Sequence, residues 1–366
     1  MRITDVKVRA FEHPSPAQWG KNFGSNIAIT LVTVQTDEGI EGYGTGRAVG
    51  GAPGSVLAAE VAGVARPLVV GEDAFARERV WLKMWQLGRR ARLSVFAMAC
   101  VDVALWDIAG KALGVPVYKL LGACREKVPA YASSGYLGSV EAYVEEAQKY
   151  KAQGYRAYKL HPFGVPERDI EACRAVREAV GGDMALMIDP TGAYDHREAL
   201  WVGRRLEELN FYWYEEPLGD YDVSGYAELC RALDIPVMAG EVSAGTLYGA
   251  AELVARGATD VLRGDVYWKG GLTAVMKMAR LAEAHGMKLE LHHGASSLMN
   301  WANLHALGAF ANGDFLEVLV PQEELDFGLT EYATIDGEGF VHLPQRPGIG
   351  VELDREYIDT HTVFEA

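Results

Sequence analysis

The spacing of apolar positions changes period twice along this chain, and each change marks a different kind of structure. Ile27 to Gln35 is β-branched and apolar, Asp37-Glu38-Gly39 reads as a turn, and Ile40 to Gly44 resumes the extended pattern. That is the signature of a hairpin. From about Val56 to Ala112 the period becomes helical. Trp81 and Trp85 stand four apart, Ala97, Val101, Ala104 and Leu105 share a face, and Gly114 with Pro116 ends the run. The first stretch, residues 1–125, therefore reads as an α+β unit.

After Lys127 short β-rich runs alternate with amphipathic helices. The expected strands are Val128–Ser133, Ala157–His161, Ala185–Asp189, Phe211–Glu215, Pro236–Glu241, Asp260–Asp265, Lys288–His292 and Phe315–Val318. Val140 to Ala152 and Glu167 to Val180 are the clearest of the seven helices between them. Such alternation calls for parallel strands joined by crossovers. Eight of them point to a closed α/β barrel, a modified TIM barrel of the (β/α)7β kind over residues 126–336. An open doubly wound sheet is the competing architecture, but no Gly-rich dinucleotide fingerprint follows a strand. Residues 337–366 lose the alternation. Pro344, Pro347 and Gly350 suggest a segment that wraps back over the surface, onto the first domain.

Composition narrows the function. The chain has 366 residues, 49% hydrophobic and 23% charged, which is enough to bury a large core. Its net charge of −15 argues against a nucleic-acid partner or a polybasic membrane anchor. Cys100, Cys124, Cys173 and Cys230 form no CxxC pair, which suits a reducing, cytoplasmic setting. No run is of signal-peptide or membrane-span length.

The chemistry lies in what ends each strand. Asp189, Glu215, Glu241, Asp265, His292 and Glu317 follow one another at steps of 26, 26, 24, 27 and 25 residues. In a barrel those positions share the C-terminal mouth, where active sites are built. One acidic residue at a strand end is ordinarily a loop or cap contact. Three in register repel one another unless their pKa values rise or a cation binds. Asp189, Glu215 and Glu241 make the hard oxygen set of Mg²⁺. Lys159 and His161 share one face of their strand. Asp265 beside His292 would orient the imidazole and raise its pKa, as a base requires. His293 is the rival, pointing to the opposite strand face.

At these residues the sequence resembles the enolase superfamily, in its mandelate racemase-like branch. Ala99 to Lys111 (ACVDVALWDIAGK), Pro116-Val117 and Leu120-Leu121-Gly122 are similar to the family's helix before the barrel. Glu215-Glu216-Pro217 and Gly240-Glu241 resemble its second and third metal-ligand motifs. Asp265 stands five residues before Gly270-Gly271, where another branch has a catalytic Lys, so the His–Asp dyad type is implied. Phe315-Leu316-Glu317 looks like that branch's last strand motif. Two departures stand out: Lys159-Leu160-His161 replaces Lys-x-Lys, and Asp189-Pro190-Thr191 lacks the usual Asn or His.

The resemblance implies Mg²⁺-dependent removal of the proton alpha to a carboxylate, through an enediolate. It makes the first domain a cap over the barrel and the partner a small-molecule carboxylate. It also makes the assembly a homo-oligomer. For an acid-sugar dehydratase, His292 is the base, Lys159 binds the carboxylate, His161 or His292 is the acid, and a protonated Glu317 donates to the substrate. A racemase or epimerase would use two bases on opposite faces, His292 and His161 (or Lys159). A non-catalytic binding barrel would be expected to have lost a ligand or the dyad. Specificity is expected from two cap loops: Pro14 to Asn26, with Trp19, Lys21 and Asn22 as substrate-binding candidates, and Arg47 to Ser55.

Overall fold

The computed structural model describes residues 1–48, 52–91, 93–294 and 296–366, with all their side chains except those at 22, 23, 89 and 91. The chain starts with three antiparallel strands, β1 (Ile3–Pro14), β2 (Asn26–Thr36) and β3 (Glu41–Ala48), the last two forming the expected hairpin. Two long helices follow, α1 (Arg77–Ala91) and α2 (Val95–Leu113). Ser94 caps α2 by accepting from the Ala97 N–H, and Gly114 ends it in the left-handed conformation that a side chain would resist.

α2 lies directly on β3. A Cβ at Gly42 would sit 2.0 Å from the Ala104 carbonyl oxygen, and one at Gly44 would sit 2.0 Å from that of Cys100. Glycines on the strand and alanines on the helix let the two backbones meet.

The barrel strands are β4 (Lys127–Tyr136), β5 (Ala157–His161), β6 (Ala185–Ile188), β7 (Trp213–Glu215), β8 (Val237–Ala239), β9 (Val261–Gly264), β10 (Lys288–Leu291) and β11 (Leu316–Leu319). They alternate with α3 (Val140–Ala152), α4 (Pro166–Val180), α5 (His196–Glu208), α6 (Val223–Ala232), α7 (Thr246–Arg256), α8 (Leu272–Ala284) and α9 (Ser297–Leu307). Neighbours pair in parallel and β11 pairs with β4, so the sheet closes. Each expected run coincides with one of these strands. Several ladders stop short of the expected ends because the chain turns there to present its acidic residue at the mouth. Inside, Tyr131, Ala157, Met187, Trp213, Met238 and Val261 fill the lower barrel.

The tail does wrap back. β12 (Phe340–His342) pairs antiparallel with β4. Then α10 (Arg355–His361) leads into β13 (Thr362–Glu365), which joins β1 as the outer strand of the first sheet. Among the described residues, no helix is long and apolar enough to cross a membrane.

Candidate active site

Because the eight strands are parallel, their C-terminal ends open on one mouth, and the residues expected there converge. The floor is a closed circuit of buried ion pairs. Lys159 Nζ lies 3.0 Å from Glu215 Oε2 and 2.9 Å from Glu317 Oε1. Arg263, absent from the sequence reading, completes it, with Nε 2.7 Å from Glu215 Oε1 and Nη2 2.8 Å from Glu317 Oε2. None of the four side chains is more than 1% exposed. Arg263 Nη2 also donates to the Tyr131 hydroxyl at 3.0 Å, and the His293 backbone N–H donates to Glu317 Oε2 at 2.8 Å.

Above the floor, Asp189, Glu215 and Glu241 each offer one carboxylate oxygen, all within 4.8 Å of one another. Burial pushes the Glu241 carboxyl up, with Glu215 and Asp189 adding to it, against the pull of His292 and Arg263. Such crowding of oxygens is what a divalent cation relieves, so this donor set fits Mg²⁺. Glu216 braces it from behind: its Oε1 accepts from the backbone N–H groups of Gly240 (3.1 Å) and Glu241 (2.8 Å).

Two histidines flank the carboxylates. His292 Nδ1 lies 2.7 Å from Asp265 Oδ2, and its Nε2 faces the cluster 3.5 Å from Glu241 Oε1. Burial disfavours its charge, but Glu241, Asp265 and Glu317 outweigh burial and raise its pKa above the ordinary 6.5. On the other flank, His161 Nδ1 donates to the Ser134 carbonyl at 2.6 Å, and Nε2 lies 3.3 Å from Asp189 Oδ2.

His293 does not compete with His292. It is buried between the cap and the barrel beside Arg47, Thr45 and Ser296. Burial, then Arg47 and His292, push its pKa down to about 3. The expected proton on Glu317 is a correction. Burial alone would raise its pKa, but Lys159, Arg263 and His292 hold it well below the usual carboxylate range. Its Oε1 faces Lys159, and its Oε2 accepts from Arg263 and from the His293 N–H, so in this arrangement Glu317 stands as an acceptor.

The cap reaches the mouth on the His161 side. Trp19 is buried, donates from Nε1 to the Val320 carbonyl at 2.9 Å, and sets its ring edge against His161 at 5.6 Å. Lys21 Nζ stands 4.1 Å over the Tyr136 ring, which itself tilts against His161. The Asn22 side chain and residues 49–51 of the second expected loop lie outside the described residues. Trp81 and Trp85 pack within the cap: Trp81 stacks on Trp85 and donates to the Gly270 carbonyl at 2.8 Å.

Besides Arg263, the sequence reading missed Lys269. This lysine is buried, burial brings its pKa down to about 8, and it donates to the Ser243 carbonyl at 2.9 Å, tying the loop after Glu241 to the turn after β9. Arg263 did carry a signal, since it stands two residues before Asp265 and so on the same strand face.

An acid-lined mouth on a (β/α)7β barrel, under an α+β cap, defines the enolase-like class. The chain belongs to the mandelate racemase/muconate lactonizing enzyme family. Residues 3–122 match that family's N-terminal domain, and residues 142–357 match the enolase C-terminal domain-like family. It is 33% identical to an arabinonate dehydratase of Saccharolobus solfataricus, over 89% of this chain and 88% of that one. It is 31% identical to a D-galactarolactone cycloisomerase of Agrobacterium fabrum, over 97% of each. Its structure superposes on D-glucarate dehydratase from Agrobacterium tumefaciens, complexed with magnesium, with a TM-score of 0.89, 36% identity and complete coverage of both chains.

Proposed function

We propose that this protein dehydrates an acid sugar, an aldonate or aldarate, to a 2-keto-3-deoxy acid. The observation that carries this is the His292–Asp265 dyad, whose free Nε2 faces the carboxylate cluster. Asp265 fixes the proton on Nδ1, so Nε2 is the basic atom. It takes the proton alpha to the substrate carboxylate. The C3–O bond then breaks, and the hydroxyl leaves as water with a proton from His161 or from His292. The resulting enol takes a proton at C3 and becomes the ketone. Lys159 meets the substrate carboxylate from the floor as a fixed cation. Asp189, Glu215 and Glu241 would hold Mg²⁺, which when bound supplies positive charge beside the charge that develops on the substrate carboxylate. Relatives named as arabinonate and L-talarate/galactarate dehydratases support the class. From the family resemblance we infer a homo-oligomer, and the four thiols suit the cytoplasm.

A second reading, racemisation or epimerisation, is favoured by one feature. His161 and His292 stand on opposite flanks of the cluster, as two bases on opposite faces of a substrate would. Incubating a panel of mono- and diacid sugars with Mg²⁺ in D₂O, followed by proton NMR, separates the two. A deoxy-methylene signal with a keto acid establishes dehydration; loss of the alpha-proton signal on an intact or epimerised skeleton establishes the isomerase. In either case His292→Asn is expected to lower turnover by about 10²–10⁴-fold while Mg²⁺ binding persists. Full turnover in that variant would remove His292 as the base.

A further inference from the structure

Arg263 sits where a barrel would ordinarily pack an apolar or uncharged side chain. It is fully buried, and its Nη2 donates to the hydroxyl of Tyr131, a member of the apolar layer that fills the lower barrel. A buried ion pair is weak evidence of a stabilising role, since apolar packing commonly serves as well. What distinguishes Arg263 is its neighbours. One guanidinium touches Glu215 at 2.7 Å and Glu317 at 2.8 Å, and lies 3.7 Å from Glu241. Two of these carboxylates belong to the candidate metal set, and the third faces the substrate side of the floor.

We propose that Arg263 is a positioning residue that aims Glu215 and Glu317 for metal and substrate. The argument starts from charge. Asp189, Glu215, Glu241 and Glu317 bring four negative charges to one mouth, and Lys159 alone would have to face three of them, with Asp189 at 3.7 Å. Arg263 takes the opposite oxygen of both Glu215 and Glu317. Each carboxylate is then gripped on both sides, and neither can rotate its free lone pairs away from the mouth without breaking an ion pair. With Lys159, Arg263 and a divalent cation present, the four carboxylates are neutralised and the incoming substrate carboxylate meets no net repulsion. Planarity matters here: the guanidinium meets Glu215 through Nε and Glu317 through Nη2, two N–H groups held in a fixed plane, whereas an ammonium would meet both from one freely rotating point. Residues that orient metal ligands are commonly worth 10–100-fold in affinity or activity.

The inference rests on the metal-site reading, so the test measures metal directly. Mg²⁺ is titrated by calorimetry into wild type, Arg263→Gln and Arg263→Lys, with circular dichroism as the check on folding. Arg263→Gln is expected to bind Mg²⁺ about 10–100-fold more weakly and to lose kcat by more than KM changes. Arg263→Lys is expected to recover only part of both. A folded Arg263→Gln with Mg²⁺ affinity and kcat within about twofold of wild type would overturn the proposal. If that variant does not fold, Arg263→Lys decides alone: affinity unchanged within about twofold overturns it, and a clear loss supports it. A wild type that takes up no divalent cation overturns the metal site and this role together, and is thereby told apart from failure of Arg263 alone.

Discussion

Asp265 commits both of its oxygens before any substrate arrives. Oδ1 accepts from the backbone N–H groups of Tyr267 and Trp268, each at 2.6 Å, and Oδ2 takes His292 Nδ1. The carboxylate cannot turn, so the imidazole cannot change tautomer. As the base proposed above, His292 would work only when neutral, and its pKa is raised above 6.5. The acid limb of kcat/KM is therefore expected above pH 6.5, with activity falling as pH drops through it. Asp265→Asn removes a neighbour that favours the charged ring. A pH–rate profile should show that limb moving to lower pH and kcat falling by about 10²–10⁴-fold. The dyad was legible in the sequence because alternation along a strand and one charged group per strand–helix unit place both residues. The ionisation of Glu317 was not, because Lys159 and Arg263 reach it from strands far away in sequence.

At the scale of elements, the eight strands and their helices were legible because each is written in a local period. How the cap grips the barrel was not. α8 begins at Leu272 after Gly271, and neither supplies a side chain to cap it. The cap comes from α2, 171 residues earlier: Asp102 accepts from the Thr273 N–H at 2.9 Å and from its hydroxyl at 2.6 Å. Trp106 Nε1 donates to the same hydroxyl at 2.9 Å. Burial pushes the Asp102 carboxyl up to about 7, although Thr273 and Arg77 pull the other way. The native state thus holds this proton more tightly than the unfolded chain, where an Asp titrates near ~3.9. The sign follows: this group's contribution to stability declines as pH rises from about 4 to about 7, then levels off. Asp102→Asn should flatten that slope in melts recorded across this range. Asp102→Ala, which strips both bonds from the end of α8, should cost about 1–3 kcal/mol.

For the whole molecule, the alternation of strand and helix implied the barrel, and the prolines of the tail implied its return. Neither could say that β13 would complete the first sheet beside β1, since edge pairing is decided by tertiary geometry rather than by the strand's own pattern. A global consequence follows from the acidic mouth. Its four carboxylates face two fixed cations, so the folded protein has a place for a divalent ion that the unfolded chain lacks. Mg²⁺ at about 100 times its Kd should stabilise the fold by about 2.7 kcal/mol, raising Tm in a thermal melt. A chelator should reverse the gain, and Asp189→Asn should largely abolish it.

The grip of α2 on α8 also bears on how a substrate gets in and out. Asp102, Trp106 and Trp81 all fasten onto one short stretch of the barrel, Gly270 to Thr273, which follows directly from the turn that carries Asp265. A cap that swung away as a rigid body would uncap a helix and drag the dyad with it. On this side the molecule is a lintel rather than a door.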